Sequence, residues 1–88
     1  MTMKERITRK LTDGLSPLAL EVVDESQKHH GHSGWREGGE THFQVRVVSA
    51  RFAGMTRVQR HRIVNDLLAD ELKERIHALA LETRAPGE

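Results

Sequence analysis

Residues 51–81 decide the fold of this chain, and they read RFAGMTRVQRHRIVNDLLADELKERIHALAL. The stretch begins with a turn in which we expect Gly54 to adopt a backbone conformation that β-branched residues resist. Apolar residues at helical spacing then predict an amphipathic helix over residues 57–72. They are Ile63, Val64, Leu67, Leu68 and Leu72. Residues 76–83, IHALALET, predict a short strand that begins near His77.

The chain before this stretch predicts one helix and two strands. Thr2 and Glu5 have the spacing of a capping box, which starts a helix that we expect to end near Gly14. Residues 18–25, LALEVVDE, contain two adjacent valines and predict the first strand. Residues 42–49, HFQVRVVS, alternate cleanly between apolar and polar and predict the second. In that second strand the inward residues are Phe43, Val45 and Val47, and the outward residues are His42, Gln44 and Arg46.

The order of these elements predicts an α+β fold, α-β-β-α-β, over a single domain of residues 1–88. We expect a three-stranded mixed sheet with the helices packed on one face. The first two strands pair antiparallel across the loop between them. The third strand lies parallel to the second, because a helical crossover joins them with the usual right-handed connection. We expect residues 84–88 to form a frayed tail.

Composition narrows the function classes. The chain has 88 residues, a formal net charge of +1 and no cysteine, so it has no disulfide framework and no thiolate ligand of its own. It contains no apolar run near the roughly 20 residues that a membrane span needs, and its charged N-terminus predicts a cytoplasmic protein. No Ser–His–acid arrangement or paired carboxylate stands out, so we predict that it is not an enzyme.

A flexible loop over residues 27–40 carries four glycines and three histidines. It is long for a connection between paired strands, and such loops are often functional. The predicted topology brings the end of this loop and the start of the third strand to the same edge of the sheet. The histidines expected to lie near His77 are therefore His29, His30, His32 and His42.

A second cluster of candidate residues lies in the first turns of the predicted 57–72 helix: Arg57, Arg60, His61 and Arg62. Cations at the start of a helix oppose its dipole, which suggests that they have another task. Three interpretations stay open: the cluster forms a solvated face with packed arginine stems, it contacts the phosphates of DNA, or it binds another anion. Three arginines contact too few phosphates for strong binding at physiological salt. The cluster lies about 20 Å from His77, judged from the helix rise.

Several of these segments together resemble the BolA family. They are Arg51-Phe52-x-Gly54, residues 58–64 (VQRHRIV), residues 68–72 (LADEL) and residues 77–81 (HALAL), with residues 25–32 and 40–43 (ETHF) similar to the histidine-loop, BolA1-like branch. The resemblance implies a fold like the type II KH domain and a monothiol glutaredoxin partner, with a [2Fe–2S] cluster bridging the two proteins. It further implies a role in iron–sulfur cluster trafficking or iron sensing, while some members are described as DNA-binding transcriptional regulators.

The resemblance and the expected geometry together assign ligand roles. His77 is the predicted metal ligand, and His29, or as second choice His32, is the other. His42 and His30 are assigned supporting positions behind the ligands. Two imidazoles cannot close a four-coordinate site, so a partner must supply the rest. In the [2Fe–2S] cluster that the resemblance implies, the glutaredoxin cysteine and a glutathione thiol would hold the other iron. The turn Gly54-Met55-Thr56-Arg57 lacks the Gly-x-x-Gly grip of RNA-binding KH domains, so classical RNA binding is not expected.

Overall fold

The computed structural model describes residues 1–25 and 41–88. Its helices are α1 (Met3–Leu15), α2 (Arg57–Leu67) and α3 (Ala69–Glu74), and a 3-10 turn occupies Ala50–Phe52. Its strands are β1 (Ala19–Asp24), β2 (His42–Val48) and β3 (Ala78–Arg84). The predicted α+β class is confirmed. Within the described residues, no helix is long and apolar enough to cross a membrane.

The three strands form one sheet in the order β1-β2-β3. β1 pairs antiparallel with β2, with Val22 opposite Val45. β2 pairs parallel with β3, with Val45 opposite Leu81 and His42 opposite Ala78. The structure thus confirms the predicted strand order and directions, including the helical crossover from β2 to β3.

The core lies between one face of this sheet and the helices. The inward residues of β2 are buried as the alternation predicts, and α1 contributes a stripe of residues spaced by four. The buried apolar residues that join the sheet to the helices include Ile7, Leu11, Leu15, Phe43, Val45, Val47, Phe52, Val64 and Leu68.

Side-chain caps determine where the two longer helices begin. The Thr2 hydroxyl accepts from the Glu5 amide while the Glu5 carboxylate accepts from the Thr2 amide, which confirms the predicted capping box. Thr56 and Gln59 form a second capping box that starts α2 at Arg57. Between these two helices, Gly54 has a φ of 76°, the left-handed conformation expected for this turn.

The structure differs from the sequence prediction in the second half of the chain. The predicted helix over residues 57–72 is two helices, because the backbone leaves helical geometry at Leu68 (φ −103°, ψ 17°). β3 begins at Ala78, so His77 precedes the strand. Residues 84–88 differ from the expected frayed tail: Arg84 belongs to β3, Ala85 is buried, and Glu88 contacts α2.

Candidate metal site

His77 is held at the start of β3 by its backbone. Its N–H donates to the Thr41 carbonyl at 2.8 Å, and the following Ala78 N–H reaches the same oxygen at 3.3 Å. The side chain is exposed and borders a cavity of about 150 Å³ lined by residues 72–77. Within the part of the chain that the structure describes, its imidazole has no hydrogen-bond partner. A fixed backbone with an available imidazole is what a ligand position requires.

His42 lies directly beside His77. The two rings are nearly parallel, with an interplanar angle of 20° and centroids 6.4 Å apart. His42 lies on the outward face of β2, as the alternation predicts, but only 7% of its surface is exposed. Its Nδ1 is 2.8 Å from the Thr41 hydroxyl. The His42 ring thus lies next to that of His77 and limits where the His77 imidazole can lie.

The remaining predicted ligands, His29 and His32, and the predicted supporting residue His30 lie with loop 27–40 outside the described residues. The residues that flank this part of the chain are described. The Glu25 N–H donates to the His42 carbonyl at 2.7 Å, and the Thr41 carbonyl accepts from His77. The chain thus leaves β1 and enters β2 at the same end of the sheet at which His77 precedes β3.

The described residues do not provide a complete metal site by themselves. Among residues 1–25 and 41–88, no group of three or more His, Cys, Asp or Glu side chains could hold a metal ion. The sequence contains no cysteine. Any metal at His77 would need ligands from elsewhere, either the histidine-rich segment or a second molecule.

The basic cluster at the start of α2 is not one surface. Arg57 and Arg62 are exposed and His61 is half-buried, whereas Arg60 is buried. Burial, with a smaller contribution from the charge of Arg57, lowers the pKa of His61 below its ordinary value. The Arg60 guanidinium binds the Glu88 carboxylate, with Nη2 to Oε2 at 2.6 Å. Sequence reasoning missed this pair because Glu88 follows 28 positions later and no motif joins the two residues.

The comparisons with known proteins agree with this fold. A family model described as BolA-like protein matches residues 11–88, and the chain belongs to the BolA family. A solved structure of the BolA domain of SufE1 from Arabidopsis thaliana superposes with a TM-score of 0.88 at 45% identity, covering 98% of this chain and 94% of that one.

Two curated relatives show how far the likeness extends. A protein of Sinorhizobium sp., described only as an uncharacterized protein in the cobS 5′ region, is 52% identical over 89 residues, or 100% of this chain and 96% of its own length. The DNA-binding transcriptional regulator BolA of Vibrio cholerae is 48% identical over 81 residues, or 92% of this chain and 73% of its own length.

Proposed function

We propose that this chain is a non-enzymatic adaptor that binds a monothiol glutaredoxin and supplies histidine ligands to a bridging [2Fe–2S] cluster. The adaptor would serve iron–sulfur cluster trafficking or iron sensing. The observation that carries the proposal is His77. Its imidazole is exposed and without a hydrogen-bond partner among the described residues, at the sheet edge where the histidine-rich segment departs and returns.

The donor set of this chain fits such a cluster. Neutral imidazole is a suitable ligand for iron, and two imidazoles on one iron are known from Rieske centres, where they raise the reduction potential. His77 supplies one nitrogen, and His29, or failing that His32, supplies the other. Because the sequence has no cysteine, the second iron would be held by the glutaredoxin cysteine and a glutathione thiol. The cluster, when bound, supplies the electron-accepting or transferable iron–sulfur unit.

The neighbours of His77 have positioning tasks in this proposal. The Thr41 carbonyl fixes the backbone of His77, and the ring of His42 packs against its imidazole. His42 remains a supporting residue because it is buried and its Nδ1 already contacts the Thr41 hydroxyl. Residues behind a metal ligand commonly influence its affinity in this way.

Mixing the apo-chain with cluster-loaded monothiol glutaredoxin tests the proposal. We expect the visible circular dichroism spectrum to change on mixing, because histidine nitrogens replace ligands on one iron. The His77→Ala variant should lose this change. The matched control is His61→Ala, which removes an imidazole near the other end of β3 and should behave like the parent chain. An unchanged spectrum on mixing, or an unaltered response of His77→Ala, would disprove the proposal.

A second candidate function is DNA binding, favoured by the relatives from Vibrio cholerae and Escherichia coli that are named DNA-binding transcriptional regulator BolA. Arg60 is engaged with Glu88, so the exposed Arg57 and Arg62 would contact the phosphates. Fluorescence anisotropy with a labelled duplex tests this candidate. We expect the Arg57→Ala/Arg62→Ala double variant to bind more weakly and to lose about two units of salt dependence, at roughly 0.9 per phosphate contact. Replacing Lys4 and Arg9, two exposed cations of α1, is the control. Unchanged affinity in the double variant would exclude this site.

A further inference from the structure

The guanidinium of Arg60 is fixed in one orientation by the fold. Its Nε donates to the Met55 carbonyl at 3.1 Å, and its Nη1 donates to the Thr83 carbonyl at 3.2 Å. Its central carbon lies 5.9 Å from the centroid of the Phe52 ring. Only 9% of the residue is exposed. The planar fork is therefore oriented in advance for an anion on its remaining edge.

The side chain of Glu88 occupies that remaining edge. Its two oxygens accept from Nη1 and Nη2 of Arg60 at 2.5 and 2.6 Å, the bidentate geometry of a guanidinium–carboxylate pair. The Ala85 N–H also donates to Oε1 at 3.0 Å. These contacts, that of Arg60 foremost, lower the pKa of Glu88 to about 2. The Glu88 side chain nevertheless stays 44% exposed, so it can leave into solvent without crossing the core.

A cavity of about 430 Å³ opens on the solvent side of this pair. Glu88 forms part of its wall, whereas Arg60 does not. The cavity is lined by Arg57, His61, Leu81, Glu82, Thr83, Arg84 and Glu88. Of its two carboxylates, Glu82 is paired with Arg84 at 3.1 Å and with Arg46 at 3.4 Å, which leaves Glu88 as the acid bound to the buried cation.

We propose that this cavity is a binding site for a small oxyanion, a phosphate or carboxylate group, and that Glu88 is its built-in competitor. In the structure the Glu88 carboxylate stands where the ligand's oxygens would bind Arg60. A ligand displaces it, and Arg57 at the cavity wall adds a second positive charge. The site is independent of His77 and of the proposed cluster.

The geometry specifies the class of ligand. Arg60 presents two parallel N–H groups, so the ligand must offer two oxygens about as far apart as those of a carboxylate or phosphate. A dianionic phosphate is preferred over a carboxylate, because Arg57 lies close enough to the cavity to neutralise the second charge. The cavity volume accommodates an inorganic phosphate or a small phosphate ester but not a folded protein segment.

Titrating the Glu88→Gln variant with inorganic phosphate tests the proposal. The readout is the Nε–Hε signal of Arg60 in two-dimensional NMR. In the parent chain, phosphate can bind only those molecules in which Glu88 has left Arg60, so the apparent affinity is the intrinsic affinity multiplied by that fraction. Removing the Glu88 carboxylate removes this reduction. We expect phosphate to bind Glu88→Gln about five- to tenfold more tightly than the parent chain, as loss of a partly exposed bidentate pair allows. The matched control is Glu82→Gln, which removes the other cavity carboxylate and should change the affinity much less.

Two further measurements distinguish a change in phosphate binding from a folding defect of the Glu88→Gln variant. In the parent chain, saturating phosphate should shift the Glu88 side-chain carboxyl signal as that group leaves Arg60. Arg60→Lys in the Glu88→Gln background should abolish the gain, because lysine cannot form the bidentate contact. This variant has no Arg60 Nε–Hε signal, so its titration is followed through the backbone amide signals of Thr83 and Ala85, which are followed in the Glu88→Gln titration as well. Equal phosphate affinity in parent and Glu88→Gln, together with an unmoved Glu88 signal, would overturn the proposal. A parallel titration with acetate shows whether a single carboxylate suffices.

Discussion

At the scale of single residues, Glu71 is the most informative side chain outside the candidate sites. It is fully buried, yet it is charged. Arg6 donates to its Oε2 through Nη2 at 2.8 Å and Nε at 3.1 Å, and Lys10 donates to its Oε1 at 2.8 Å. The acid thus ties α3 to α1. Because the predicted helix is two helices, Glu71 lies in the first turn of α3, where the helix dipole also favours an acid.

Replacing this carboxylate tests its structural role. We expect Glu71→Gln to lower the free energy of unfolding by about 2 kcal/mol, the usual scale for hydrogen bonds to a charged group. The loss stays moderate because Arg6 and Lys10 are partly exposed and can regain water. Chemical denaturation at neutral pH measures it. Glu74→Gln, which removes only an exposed contact of Arg6, is the control and should have a much smaller effect.

The stability difference between the parent chain and Glu71→Gln should also depend on pH. Burial raises the pKa of Glu71, but hydrogen bonds from Lys10, its own backbone and Arg6 outweigh it, so the net pKa lies below the ordinary value. A carboxyl with a lowered folded-state pKa contributes stability above its unfolded pKa, near 4.5, and loses that contribution as the pH falls through the folded value. The difference between parent and Glu71→Gln should therefore shrink below about pH 4. A constant difference down to pH 2 would contradict this assignment.

Residue-level prediction from sequence succeeded where a position follows from topology and failed where it depends on a distant partner. The proximity of His42 to His77 follows from strand order alone, and the structure places the rings 6.4 Å apart. The partners of Arg60 and Glu71 lie 28 and 65 positions away in the chain. No periodicity or motif connects such residues. The arginine cluster was therefore interpreted as one surface, although one of its members is buried.

At the scale of elements, the type and order of helices and strands were predictable, and their ends were less so. The apolar–polar alternation in β2 and the four-residue spacing of apolar residues in α1 directly reflect burial on one face. The end of α1 is set by Ser16 in the left-handed conformation (φ 44°), where glycine is the usual residue, so the sequence pointed to Gly14 instead. The break at Leu68 was missed because the apolar spacing continues through it. It places Leu68 in the core and Glu71 against α1.

At the scale of the whole molecule, the two candidate sites lie at opposite ends of β3. His77 precedes Ala78, the first residue of this strand, and the Arg60–Glu88 pair lies beside Thr83 near its last residue. Six residues at about 3.3 Å each separate the two ends by roughly 20 Å. β3 is an edge strand whose parallel partner, β2, occupies the centre of the sheet. The length of β3 therefore lies between the two sites.

This separation predicts that the two proposed activities are independent. The His77→Ala/Glu88→Gln double variant should show the cluster response of His77→Ala and the phosphate affinity of Glu88→Gln. Effects at sites more than about 10 Å apart usually add to within about 0.5 kcal/mol, which is less than a threefold change in affinity. The measurements are visible circular dichroism after mixing with cluster-loaded glutaredoxin and phosphate titration by NMR. If phosphate changes the cluster spectrum of the parent chain, or if Glu88→Gln alone suppresses it, the sites are coupled through the bound partner or the sheet, and the independence inferred from β3 is wrong.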